Sequence, residues 1–163
     1  MHLTPFLFVF KHSDKFSCNF TDVQTLGMIM TIDTSWHDGY SVGHAAIDKQ
    51  HKKLLSLVGE ADACCSGADP DCDERFHLIL NELSYYALSH FDYEESLLRH
   101  LGYPKLAEQI NQHDMYMTKL SALMQSSSGG KADKAGLREF LSQWWLHHIL
   151  EEDMQYKSHV TEE

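Results

Sequence analysis

Seven polar side chains fall at helix-face spacing in four separate stretches of this 163-residue chain: His51, then His90 and Glu94, then Gln109 and His113, then His148 and Asp153. Folded side by side, the four stretches would gather these nitrogen and oxygen donors into one buried cage large enough for two metal ions. Neutral imidazole mixed with carboxylate suits iron better than calcium or magnesium. His90 with Glu94 and Gln109 with His113 are i, i+4 pairs, which lie one above the other on a helix and converge on one point. His148 and Asp153 are five apart, about 140° around a regular helix. For both to face the same point, Asp153 must reach back or the last turn must loosen.

A lone histidine on an apolar helix face is usually a hydrogen-bonded core residue. Here that reading would have to hold separately in every helix. Burying two carboxylates and four imidazoles without partners would cost several kcal/mol per group, and a pair of divalent cations removes that cost.

The elements that must position these residues show in the apolar spacing. From His44 to Ala63, Ile47, Leu54, Leu55, Val58 and Ala61 recur at three- and four-residue intervals, with His51 in the same stripe. Gly67 and Pro70 predict a turn, and Asp71 followed by Glu74 is a capping-box-like start for a second helix. Its inward row reads Phe76, Ile79, Leu83, Tyr86, Ala87, His90, Glu94 and Leu97, ending at Gly102 and Pro104. A third helix from near Lys105 carries Leu106, Gln109, Ile110, His113, Met117, Leu120 and Met124 until the SSSGG run breaks it. A fourth has Leu137, Leu141, Trp144, His148 and Met154 as its inner row. Short connections between helices of roughly 20 to 28 residues predict an all-α, antiparallel up-down-up-down four-helix bundle.

Composition narrows the function. Thirteen Lys and Arg against 24 Asp and Glu leave a net charge of −11. No basic run could follow a phosphate backbone, so nucleic acid and anionic membrane are poor partners. No stretch approaches the roughly 18 apolar residues of a membrane span. Cys18, Cys64, Cys65 and Cys72 form no evident disulfide framework and predict reduced thiols in a cytoplasm. Cys64, Cys65 and Cys72 flank a turn but lack a Cys-x-x-Cys pairing, which argues against a thiol metal site. Residues 1–34 differ from the rest. Pro5 to Phe10 is apolar but has neither a basic start nor a small-residue cleavage site, and Met28 or Met30 could be the native start. The expected organisation is a weakly packed N-terminal extension over 1–34 and a bundle over 35–160.

The motifs themselves resemble the hemerythrin family. WHDGYSVGHAAIDKQHKKLL, from Trp36 to Leu55, looks like the family's opening, and HFDYEE is similar to its H-x-x-x-E segment. GYPKLAEQINQH resembles the stretch where two histidines normally stand four apart, and WLHHILEED the closing H-x-x-x-x-D. The resemblance runs from Trp36 to about Val160. It implies a non-haem di-iron centre, two irons with a bridging oxo or hydroxo group, that binds dioxygen reversibly for storage, delivery or sensing. Glu94 and Asp153 would bridge the irons, His51 and His90 would hold the one with an open position, and His113 and His148 would hold the other. The third histidine of that second iron falls at Gln109. Reading His113 and Met117 as the pair instead would lengthen the interval from His90 by four residues and is rejected.

An amide oxygen is a weaker ligand than imidazole, so Gln109 either coordinates through its carbonyl or stands back while water takes its place. Both outcomes leave the second iron less saturated, and the resulting shift in redox behaviour makes peroxide reduction or oxygen activation the alternative function. Leu54, Phe91, Trp144, Trp145 and Ile149 adjoin the ligand positions and would wall the open iron from water. Tyr93 and Asp48 are close enough in sequence to orient the imidazoles. No acid, base or nucleophile outside the cage marks a catalytic residue. A ferritin-like oxidase would need two Glu-x-x-His motifs. The one match is Glu74 to His77, which lies about 20 Å along the helix from His90.

Overall fold

The computed structural model describes residues 33–66, 72–127 and 134–161. The chain divides into Met1–Thr31 and Ile32–Glu163, and every described residue belongs to the second unit. Residues 1–32 of the expected extension over 1–34, the Asp71 cap and the last three residues of the SSSGG run lie outside the described residues, and the third helix continues to Ser127.

A short 3-10 turn, Asp38–Tyr40, precedes four long helical stretches: α1 (Ala45–Ser66), α2 (Cys72–His100), α3 (Leu106–Ser127) and α4 (Lys134–His147). The fourth continues through a π turn at His148–Glu152 and a 3-10 turn at Asp153–Gln155, ending in α5 (Lys157–Val160). Helix α1 packs on α2 and α4, α2 on α3, and α3 on α4, which closes the antiparallel ring that the short connections predicted. Among the described residues, no helix is long and apolar enough to cross a membrane.

The core forms two apolar layers. One joins Leu54, Leu55, Val58, Phe76, Leu80, Leu83, Phe91, Tyr116, Leu120, Leu141, Trp145 and Ile149, with the buried Cys64 at its edge. The other is smaller and holds Val42, Ile47, Leu98, Tyr103, Tyr156 and Val160. Each helix passes through both layers. Ile47 and Leu54 flank His51, Phe91 and Leu98 flank Glu94, and Ile149 and Tyr156 flank Asp153. The polar residues thus form a single stratum between two hydrophobic ones.

Three inward positions differ by one residue from the expected rows. Tyr116, Leu98 and Trp145 are fully buried, while Met117, Leu97 and Trp144 are partly covered. Neighbours on a helix are only about 100° apart, so apolar spacing alone leaves the boundary of the stripe open. Tyr116 can go inside because its hydroxyl accepts a hydrogen bond from Trp145 Nε1 at 3.0 Å.

Helix α2 stops at Gly102 as expected, through a Schellman closure. Tyr103 N donates to Leu98 O at 2.9 Å and Gly102 N to Arg99 O at 3.3 Å, and Gly102 takes φ +66°. Leu98 and Tyr103 then share the smaller apolar layer. At the same end of the bundle, Asp48 accepts from Val42 N at 2.9 Å and from Ser41 Oγ at 2.6 Å, tying the entry loop to the first turn of α1. A Cβ at residue 102 would meet nothing within 4 Å, so Gly102→Ala is strained only through its backbone. It should lower unfolding free energy by about 1 kcal/mol, read from denaturant midpoints at unchanged slope; no loss would mean that the left-handed closure is dispensable.

Candidate metal centre

The seven residues named from the sequence converge. His51, His90, Glu94 and Asp153 are fully buried, and Gln109, His113 and His148 are at most 3% exposed. The fourth stretch reaches the cluster because its last turn loosens. Asp153 N donates to His148 O across the π turn, and the wider turn returns Asp153 to the face that carries His148.

The potential ligand atoms fall into two groups: His51, His90, Glu94 and Asp153, then Glu94, His113 and His148. Each carboxylate divides its oxygens between them. Asp153 Oδ2 lies 3.2 Å from His51 Nε2, while Oδ1 lies 3.2 Å from His148 Nε2. Glu94 Oε2 lies 3.4 Å from His90 Nε2, while Oε1 lies 3.5 Å from His113 Nε2. Gln109 Nε2 donates to Glu94 Oε1 at 3.2 Å and Asp153 Oδ1 at 2.9 Å, on the His113 and His148 side.

Other helices fix the rings. His90 Nδ1 is 2.9 Å from Gln50 Oε1, and His113 Nδ1 is 2.8 Å from Glu95 Oε1. Both partners are acceptors, so each Nδ1 carries the proton and each Nε2 turns a lone pair to the cluster. Tyr156 OH donates to Glu94 Oε2 at 3.1 Å. The sequence reading missed these three residues. Gln50 and Glu95 sit beside a ligand position on their own helix but serve a ring on another, a pairing that no single-helix period reveals. Tyr156 stands three residues after Asp153 and could have been found by continuing the stripe. Of the two residues expected to orient the imidazoles, Asp48 caps α1, and Tyr93 is 39% exposed with its ring 6.2 Å from that of His44.

Aromatic rings cover one side of the cluster. Phe91 stacks on His113 with centroids 3.9 Å apart, and Trp144 stacks on His148 at 4.3 Å. Trp145 lies 5.9 Å from the His90 ring. Leu54 and Ile149 belong to the same apolar layer.

Burial sets the protonation of the cluster. It pushes His51 down to about 4 and His113 down to about 3, and holds His90 and His148 well below the ordinary imidazole value, the last two with further repulsion from neighbouring imidazoles. All four are neutral at neutral pH, the form that binds metal. Burial also raises Glu94 and Asp153 well above the usual carboxylate range, with the Asp153 charge adding to the rise in Glu94. His51 Nε2, His90 Nε2 and Asp153 Oδ2 have no hydrogen-bond partner although His51 and Asp153 nearly touch. Each such buried orphan costs about 1–3 kcal/mol. Neutral imidazoles, paired carboxylates and orphaned donor atoms aimed inward are the inventory that fits divalent cations.

The sequence pattern of the Hemerythrin HHE cation binding domain matches residues 42–160. A bacteriohemerythrin of Stenotrophomonas maltophilia is 25% identical over 125 residues, covering 77% of this chain and 80% of its own length. The bacteriohemerythrin of Clostridium acetobutylicum is 29% identical over 124 residues, covering 74% and 96%. A hemerythrin-like protein of Naegleria gruberi is 28% identical over 123 residues, covering 76% and 90%. Among solved structures, a leucine-to-tyrosine mutant of hemerythrin superposes with a TM-score of 0.70 at 21% identity, over 80% of this chain and 99% of that one. With its bundle, its buried imidazole and carboxylate stratum and a domain match over most of its length, this chain belongs to the hemerythrin family.

Proposed function

We propose that the protein is a non-haem di-iron protein that binds dioxygen reversibly, for storage, delivery or sensing in a cytoplasm, and that residues 35–160 form the functional domain with 1–34 as an extension. The observation that carries this reading is the division of each carboxylate between two groups of imidazoles. Glu94 and Asp153 each offer one oxygen to each side, the arrangement by which carboxylates bridge two cations. In this reading His51 and His90 would hold one iron, and His113 and His148 would hold the other. When bound, the iron pair supplies the electrons that reversible dioxygen binding draws on and returns.

The chain's own residues do the rest. Gln50 and Glu95 fix two imidazole tautomers, so that a lone pair and not an N–H meets the metal. Tyr156 holds Glu94 in place. Leu54, Phe91, Trp145 and Ile149 form an apolar wall beside the cluster, and Trp144 stacks on His148, on the second side. The single N–H of Trp145 is engaged by Tyr116 and adds no polar donor to that wall. An apolar wall of this kind resists the hydration that drives irreversible oxidation.

Two measurements test the reading. With iron in excess the protein should bind two ions per chain, and chelation should lower its melting temperature by about 10 °C, since the bound ions stabilise only the folded state. Protein that binds no stoichiometric iron, or melts identically without it, would end the proposal. In stopped flow, the reduced protein mixed with oxygen should give a coloured species that disappears on deoxygenation and returns on re-exposure. Rapid one-way decay to the oxidised form would instead identify a redox enzyme that reduces peroxide or activates oxygen.

A further inference from the structure

We infer that the two ion positions of this centre are unequal: the one between His51 and His90 holds its ion firmly, and the one between His113 and His148 fills only when the Gln109 amide releases two carboxylate oxygens. The inference rests on the di-iron reading above and divides the site by hydrogen-bond inventory. Among the described residues, the buried side-chain atoms without a hydrogen-bond partner are His51 Nδ1, His51 Nε2, His90 Nε2 and Asp153 Oδ2. All four belong to the first side.

On the second side the protein satisfies its own groups. Glu94 Oε1 and Asp153 Oδ1 both accept from Gln109 Nε2, at 3.2 and 2.9 Å. His113 Nε2 and His148 Nε2 are hydrogen-bonded to each other at 3.1 Å. Because Glu95 takes the proton of His113 Nδ1, His148 is the ring that donates in that pair.

The orientation of the amide follows from its neighbours. Turned over, Gln109 would set its carbonyl oxygen against two carboxylate oxygens, acceptor against acceptor. A cation entering this side needs the same two oxygens, so the amide N–H group is its competitor. An imidazole at the same place would offer a lone pair and no such competition. Position 109 thereby sets how firmly the second ion is held, and the chain can carry one resident ion and one exchangeable ion.

Zinc is a suitable probe because it binds imidazole and carboxylate without redox chemistry. Calorimetric titration of the metal-stripped full chain, with bound ions counted by native mass spectrometry, should show two steps, the second weaker by about 10- to 100-fold. Gln109→His should bring the second step close to the first. Gln109→Leu removes N–H and carbonyl together and should leave the second step no weaker than in the unaltered protein. His51→Ala should abolish the tight step and His113→Ala should spare it. Two indistinguishable steps in the unaltered protein, a weaker second step in Gln109→Leu, or the reverse pattern in the histidine variants overturns the inference while the di-iron reading stands. Failure of both the unaltered protein and Gln109→His to take up zinc overturns both.

Discussion

Burying Glu94 and Asp153 beside four imidazoles strips each group of water, and the protein returns only part of what water gave. Tyr156 donates to one carboxylate and Gln109 to both, yet His51 Nε2, His90 Nε2 and Asp153 Oδ2 receive nothing. A hydrophobic stratum at the same level would be easier to build. Donor atoms left in such a place suit a bound cation, which would complete them.

The two apolar layers make the arrangement rigid. The two layers flank three of the ligand positions directly, Ile47 and Leu54 about His51, Phe91 and Leu98 about Glu94, and Ile149 and Tyr156 about Asp153. Close-packed interiors resist displacement, so packing adds to the polar contacts that hold the donor atoms in place. The one irregularity in the helices serves the same end. A regular fourth helix would carry Asp153 away from His148; the π turn at His148–Glu152 absorbs the difference.

Support from outside the cluster is uneven. His90 and His113 are each held by an acceptor from elsewhere in the bundle, and His113 and His148 are further held by stacked aromatic rings. His51 Nδ1 has no partner, and its ring is oriented by packing within the stratum. Position 109 adds a second asymmetry, because an amide offers its protons to the carboxylates where an imidazole would offer a lone pair to a metal. The two sides of one centre thus differ in how much the protein alone completes them.

Much of this was legible in the residues. Three- and four-residue apolar spacing located α1 to α4, the Gly102 stop of α2 is where expected, and the i, i+4 pairs on α2 and α3 brought four of the seven cluster residues to inward faces, with His51 a fifth in its own stripe. The five-residue gap from His148 to Asp153 required either that Asp153 reach back or that the last turn loosen, and the π turn decided it. Local periodicity reports which face of a helix is inward, and that much the chain carries by itself. Tertiary structure decided what depends on contact between helices: that Tyr116 and Trp145 lie inside and share a hydrogen bond, that Gln50 and Glu95 hold rings on other helices, and that Gln109 points its N–H group at two carboxylates. Those facts depend on which neighbour lies across the gap and at what height, and only packing fixes that.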